Sequence, residues 1–112
     1  MPRQTPTIPR VALGTFRSTG DQAAAAVRFA LRQANLRAFD LASIYKNEVV
    51  VGREIRDAIR DGIVSRSELF VTSKISPYEM GAGRASAAVD GILERLDIGY
   101  LDLLLIHWPG WC

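Results

Sequence analysis

Four side chains of types that do proton chemistry each fall at the end of a strand-like apolar run or just beyond one. Asp40 closes Leu36-Arg37-Ala38-Phe39, and Tyr45 lies in the loop that follows. Lys74 closes Leu69-Phe70-Val71-Thr72-Ser73, and His107 closes Leu103-Leu104-Leu105-Ile106. A carboxylate, a phenol, an ammonium and an imidazole gathered at one end of a parallel sheet make a proton-delivery site. In α/β folds the carboxyl ends of the strands are where such sites are built.

Each of these residues also has a plainer reading. Of 14 lysines and arginines only Lys46 and Lys74 are lysine. Lysine is a compact point charge that presses a neighbouring phenol toward ionisation, whereas a strand-end lysine otherwise simply reaches solvent. A free tyrosine titrates near ~10, and each unit of depression by a cationic neighbour is worth about 1.4 kcal/mol; a loop tyrosine also serves as packing. Asp40 is costly to bury unless paired, and Lys74 on the adjacent strand is its natural partner; a helix cap or a structural ion pair would explain it too. His107, the only histidine, is either a donor that orients a carbonyl or a satisfied core group. Trp108 beside it is an apolar wall or a cover for the sheet edge. Asp102 falls inside a strand-like run and reads as structural.

The elements that must position these groups alternate. Arg10 to Leu13 reads as a short strand ending at Gly14-Thr15-Phe16. Gly20 and Asp21 open a helix to about Ala34 with Ala24, Val27, Leu31 and Ala34 on one face. Leu36 to Leu41 is the second strand. Asn47 is placed to cap the next helix, with Glu48 in its first turn; that helix turns Val51, Ile55, Ala58 and Ile59 inward and stops at Gly62. Glu68 to Ile75 is the third strand, which Pro77 prevents from continuing, and Gly81 and Gly83 mark a loop. A third helix, about Arg84 to Leu96, presents Val89, Ile92, Leu93 and Leu96. Tyr100 to Ile106 is the fourth strand, ended by Pro109-Gly110. The order β-α-β-α-β-α-β predicts an α/β fold with parallel strands and right-handed crossovers. A run such as Leu103 to Ile106, apolar on both faces, suits a buried parallel strand.

Length and composition narrow the function. The 112 residues suit one domain, and 48% hydrophobic residues with a mean hydropathy of +0.07 suit a globular chain. A net charge of +2 with scattered basic residues gives no footprint for nucleic acid or a membrane surface. One histidine and one cysteine, Cys112, build neither a zinc site nor an internal disulfide, and the cysteine usage fits a reducing compartment. The N-terminus lacks the apolar core of a signal peptide, and no apolar run approaches the ~18 residues of a membrane span, so a cytoplasmic location is expected.

The same residues resemble the aldo-keto reductase family. Phe39-Asp40-Leu41-Ala42-Ser43-Ile44-Tyr45-Lys46-Asn47-Glu48 is similar to that family's signature of Asp-Thr-Ala, two variable residues, Tyr, one variable residue and Asn-Glu, with Leu41 where threonine is usual. Val71-Thr72-Ser73-Lys74 resembles its lysine motif, and Asp102-Leu103-Leu104-Leu105-Ile106-His107-Trp108-Pro109 its histidine motif. Intervals of 29 residues from Tyr45 to Lys74 and 33 from Lys74 to His107 suit the family. The resemblance covers essentially the whole chain.

It implies the N-terminal half of a (β/α)8 TIM barrel over residues 1–112, in a family that reduces aldehydes and ketones to alcohols with NADPH. Tyr45 would be the proton donor, Lys74 held by Asp40 would lower its pKa, and His107 would orient the carbonyl. Gly14, Thr15 and Asp40 would lie near the nicotinamide ribose, and Phe16, Ile44, His107 and Trp108 would line the pocket for a small carbonyl substrate. A full barrel takes ~250 residues, and most groups that grip the cofactor come from the family's second half, so NADH stays open beside NADPH. No Gly-x-Gly-x-x-Gly replaces them. A half barrel leaves open strand edges and an apolar inner face, which predicts self-association or a need for the missing half. The alternatives are a catalytically inactive fragment and an interaction module that uses the half-barrel face.

Overall fold

Four strands form one parallel sheet in the order β1-β2-β3-β4, which is also their order in the chain. Residues 7–108 are described in this computed structural model. The strands are β1 (Leu13–Gly14), β2 (Ala38–Asp40), β3 (Phe70–Ile75) and β4 (Leu103–Ile106), and the helices between them are α1 (Gly20–Arg32), α2 (Glu48–Arg60) and α3 (Ala82–Leu96). This is the β-α-β-α-β-α-β alternation expected of the first half of a barrel. The expected Pro109-Gly110 stop and Cys112 lie outside the described residues.

Every strand is shorter than its apolar run. β1 pairs with β2 only through Leu13↔Phe39 and Gly14↔Asp40, so Arg10 to Ala12 have no ladder to join. Glu68, expected to begin β3, instead ends a 3-10 turn, Arg66–Glu68, where Ser65 and Glu68 satisfy each other's backbone N–H groups. β4 begins at Leu103 because Asp102 is occupied otherwise: its carboxylate accepts from the Val71 N–H at 2.8 Å and its own N–H donates to Val71 O at 3.0 Å. Asp102 therefore flanks the strand rather than lying within it.

The helices follow from local chemistry. Thr19 caps α1, its hydroxyl accepting from the Gln22 N–H while the Gln22 side chain accepts from the Thr19 N–H. α1 ends at Arg32, short of Ala34, because Asn35 turns left-handed (φ 53°) and the Leu36 N–H returns to Ala30 O. Its buried face is Ala23, Val27, Ala30 and Leu31 rather than one that includes Ala34. α2 buries Val51, Ile55 and Ala58 as expected, with Ile59 half-buried. α3 starts at Ala82, so Gly83 lies in its first turn rather than in a loop, and its buried positions are Ala88, Ile92 and Leu96.

These faces meet over β2 and β3 in one core that includes Phe39, Leu41, Val71 and Ile75. The expectation that β4 is buried on both faces does not hold. Leu104, Leu105 and Ile106 are 40, 41 and 54% exposed, because β4 pairs with β3 alone and no described element covers its far side.

Candidate active site

The site begins with register. Asp40 pairs with Thr72 across β2 and β3, so Lys74, two residues further on, points from the same face of its strand one step nearer the carboxyl edge. From there the Lys74 ammonium donates to Asp40 Oδ1 at 2.6 Å, to the Leu41 carbonyl at 2.9 Å and to Tyr45 Oη at 3.4 Å. The Lys74 side chain is 11% exposed and that of Asp40 is 47% exposed. A nearly buried cation is thus satisfied on one side by a half-hydrated carboxylate, and its remaining reach is toward a phenol.

Tyr45 is placed by the 3-10 turn Ser43–Tyr45, which follows β2 directly and closes on Lys46 in the left-handed conformation (φ 58°). Ser43 anchors that turn by donating to Glu79 Oε1 at 2.5 Å. The Tyr45 ring lies 5.4 Å from Phe16 and 5.8 Å, edge-on, from His107, and His107 in turn lies 4.4 Å from Trp108. His107 stands just past β4, where its backbone N–H donates to Ile75 O at 2.9 Å. Its Nδ1 is buried without a partner among the described residues. Burial, and then repulsion from Lys74, hold its pKa below the ordinary value, with Asp40 opposing. The imidazole is therefore neutral at neutral pH and carries one N–H to donate.

Asn47 departs from expectation. It precedes α2, but its side chain makes no cap bond; instead Nδ2 donates to Thr15 O at 2.9 Å and to Ser18 O at 3.3 Å, tying the loop after β1 to the loop that carries Tyr45. Thr15 is 1% exposed, and its backbone N–H donates to Asp40 O. Beside it a Cβ on Gly14 would meet nothing within 4 Å. Gly14 pairs in register with Asp40, whose Oδ2 has no hydrogen-bond partner among the described residues.

Phe16, Ile44, Tyr45, His107 and Trp108 line one cavity of about 350 Å³, and Arg17 lines it with them. Arg17 was not among the candidates; no sequence pattern marks it, since its placement depends on a left-handed backbone (φ 59°). A larger cavity of about 660 Å³ shares only Ile44 with this one and touches none of Asp40, Tyr45, Lys74 or His107. The smaller is the better candidate for chemistry because it contains the phenol and the imidazole. Among the described residues no group of His, Cys, Asp or Glu side chains could hold a metal, and no helix is long and apolar enough to cross a membrane.

Residues 10–111 match the model of the Aldo/keto reductase family. The chain belongs to that family. Among relatives, it is 42% identical to the glyoxal reductase of Bacillus subtilis over 104 residues, which cover 92% of this chain and 36% of that protein. It is 38% identical to the morphine 6-dehydrogenase of Pseudomonas putida over 102 residues, covering 91% of this chain and 33% of that one. The crystal structure of Bombyx mori aldo-keto reductase AKR2E4 in complex with NADP superposes with a TM-score of 0.87 at 39% identity, covering 93% of this chain and 36% of that chain. The parallel sheet is therefore part of an aldo-keto reductase TIM barrel, and the chain spans about a third of the length of the relatives it matches.

Proposed function

We propose that this chain carries the proton-delivery site of an NADPH-dependent oxidoreductase that reduces small aldehydes or ketones to alcohols. The observation that carries the reading is the Lys74 ammonium, which bridges Asp40 Oδ1 at 2.6 Å and Tyr45 Oη at 3.4 Å, with Tyr45 itself lining a cavity. Tyr45 hands its proton to the carbonyl oxygen. As that proton leaves, negative charge grows on Oη within reach of Lys74, which stabilises it without having to move. Asp40 holds Lys74 in place, and the neutral His107 donates its N–H to the same carbonyl oxygen. Phe16, Ile44 and Trp108 wall the substrate.

NADPH, when bound, supplies the hydride that the carbonyl carbon receives. The residues present fit its ribose end: the free oxygen of Asp40 would accept from a ribose hydroxyl, and the open space at Gly14 would admit close approach of the ring. Thr15, buried and with its hydroxyl oxygen unpartnered among the described residues, would stand beside that ribose. The aldo-keto reductase with NADP bound that superposes on this chain supports this choice of cofactor.

The test is a thermal melt of the purified chain with and without NADPH, followed by carbonyl reduction assays with Tyr45→Phe as control. The expected result is an upward shift with cofactor and a loss of turnover of about 10²–10⁴-fold in the variant. A melt indifferent to NADPH, or a Tyr45→Phe variant as active as the parent, sinks the reading. A second reading, an association surface on the open edge, is favoured by the exposed apolar side chains of β4. Sedimentation velocity over a concentration series tests it, and a single monomer boundary throughout sinks it.

A further inference from the structure

Tyr45 stands on the turn after β2 and Lys74 near the end of β3, so their 3.4 Å approach needs turn and strand end held together. One carboxylate oxygen does this. Ser43, two residues before Tyr45, donates its hydroxyl to Glu79 Oε1 at 2.5 Å, a link that spans 36 residues of chain. Ser76, two residues after Lys74, donates its backbone N–H to the same oxygen at 2.9 Å. Burial pushes the Glu79 pKa up, but the bonds from Ser43 and Ser76 outweigh it and hold the carboxyl below its ordinary value. The acceptor is therefore charged at neutral pH, and a hydroxyl donating to a charged oxygen makes the stronger class of hydrogen bond.

The two ends of this link differ in how firmly they are held. Ser76 is 5% exposed and opens the 3-10 turn Pro77–Glu79, whose proline and capping box fix Glu79 to the end of β3. The turn Ser43–Tyr45 has no side-chain cap of its own. Its side-chain hydrogen bonds among the described residues are Ser43 to Glu79 and Lys74 to Tyr45. Without the first, the second must hold the turn alone, and at 3.4 Å it is long for a hydrogen bond. A reacting group that drifts by ~1 Å forfeits much of what fixed geometry contributes to rate.

We propose that Glu79 is a positioning residue: through Ser43 it fixes the turn that carries Tyr45 against the end of β3 that carries Lys74. Glu79 does not line the cavity that holds Tyr45, so it acts through Ser43 and not on a ligand. The effect on turnover rests on the reading of Tyr45 as proton donor, whereas the geometry is tested apart from turnover. The probe is the nuclear Overhauser contact between the Tyr45 ring and the Lys74 methylenes in the full chain. The Lys74 ammonium lies 5.1 Å from the centroid of that ring, so the parent should show the contact. With three tyrosines in the chain, Tyr45→Phe assigns the ring signals.

The expected result is that Glu79→Ala and Ser43→Ala weaken the contact, while Glu79→Gln, whose amide oxygen still accepts, keeps it. In an active chain the two alanine variants lower kcat about ten- to a hundredfold with KM changed less than about twofold, and Glu79→Gln restores most of it. Ser43→Ala is the deciding variant, because it leaves the Ser76–Glu79 capping box intact and with it any purely structural role of Glu79. Where Glu79→Ala fails to fold, Ser43→Ala and Glu79→Gln still decide. A contact unchanged by Ser43→Ala overturns the proposal by confining Glu79 to that cap. Loss in Glu79→Gln as deep as in Ser43→Ala overturns it too, as does a parent without the contact. A weakened contact with kcat unchanged, or a parent that holds the contact without turnover, would instead sink the reductase reading and leave the positioning role standing.

Discussion

The Lys74 ammonium and the Asp40 carboxylate, 2.6 Å apart, are unequally buried: the lysine side chain is 11% exposed and the aspartate 47%. That inequality predicts which partner the fold misses more. Removing the lysine leaves a half-hydrated carboxylate and one unpaired carbonyl at Leu41, at a cost of about 1 kcal/mol. Removing the aspartate strands a nearly buried ammonium without counter-charge, at about 2–3 kcal/mol. Urea unfolding of Asp40→Ala and Lys74→Met should place the aspartate variant clearly lower. Equal midpoints, or the reverse order, would show that solvent rather than Asp40 satisfies the cation.

His107 gives a pH dependence with a defined sign. Its folded pKa lies below the ordinary 6.5, chiefly through burial, with repulsion from Lys74 adding and attraction from Asp40 opposing. Above 6.5 neither folded nor unfolded chain holds the extra proton, so the group contributes nothing. As pH falls through 6.5 the unfolded chain takes up the proton first, and stability declines until the folded value is passed. Asp61, Glu68 and Glu79 have pKa values below the ordinary carboxylate range and lose their contributions only in more acid solution. His107→Gln should therefore flatten the loss of stability between pH 7.5 and 5.5. A slope unchanged by the substitution would mean that the imidazole is freely hydrated.

Much of the candidate site's placement was legible because its residues are local punctuation: each ends a strand or follows one, and parallel pairing brings strand ends together. The start of α1 is local in the same way, since the Thr19-x-x-Gln22 capping box opens it at Gly20. What could not be read depends on long-range approach. Asn47 looks like a cap and is a tie to Thr15, 32 residues away. Asp102 looks like part of a strand and is a substitute for one of its hydrogen bonds. The apolar run of β4 reads as buried because a sequence records what a face prefers and not what covers it.

Glu48 and Arg95, 47 residues apart, form another pair of that kind. Glu48 is 2% exposed, accepts from Arg95 Nε at 2.7 Å on one oxygen, and leaves the other without a partner among the described residues. Burial raises its pKa more than Arg95 lowers it. A raised folded value means that this group's contribution is fully present below the ordinary 4.5 and is lost as pH rises through the folded value. Arg95→Met removes the cation that offsets this, so it should cost about 2–3 kcal/mol at neutral pH and progressively less toward pH 4.5. The double variant Arg95→Met/Glu48→Gln should recover most of the loss. A defect that is constant with pH would assign the cost to lost packing of the arginine stem.

Gly52 sets how closely α2 and α3 approach. A Cβ there would lie 2.2 Å from Leu96 O and 2.8 Å from Leu96 C, both backbone atoms that no rotamer change can move aside. The same Leu96 carbonyl accepts from Arg56 Nη1 at 2.7 Å, so pushing the helices apart also breaks that bond. Helix propensity alone favours alanine over glycine by about 1 kcal/mol, and the clash must exceed this for the net effect to be unfavourable. Overpacking against backbone supplies that excess, and Gly52→Ala should destabilise by about 1–3 kcal/mol. Gly83, in the first turn of α3 with nothing within 4 Å of its Cβ position, is the contrast. Gly83→Ala keeps the propensity gain and should stabilise by about 0.5–1 kcal/mol. Chemical unfolding of the two variants side by side checks both, and a Gly52→Ala chain as stable as the parent would mean that α2 and α3 are not in backbone contact.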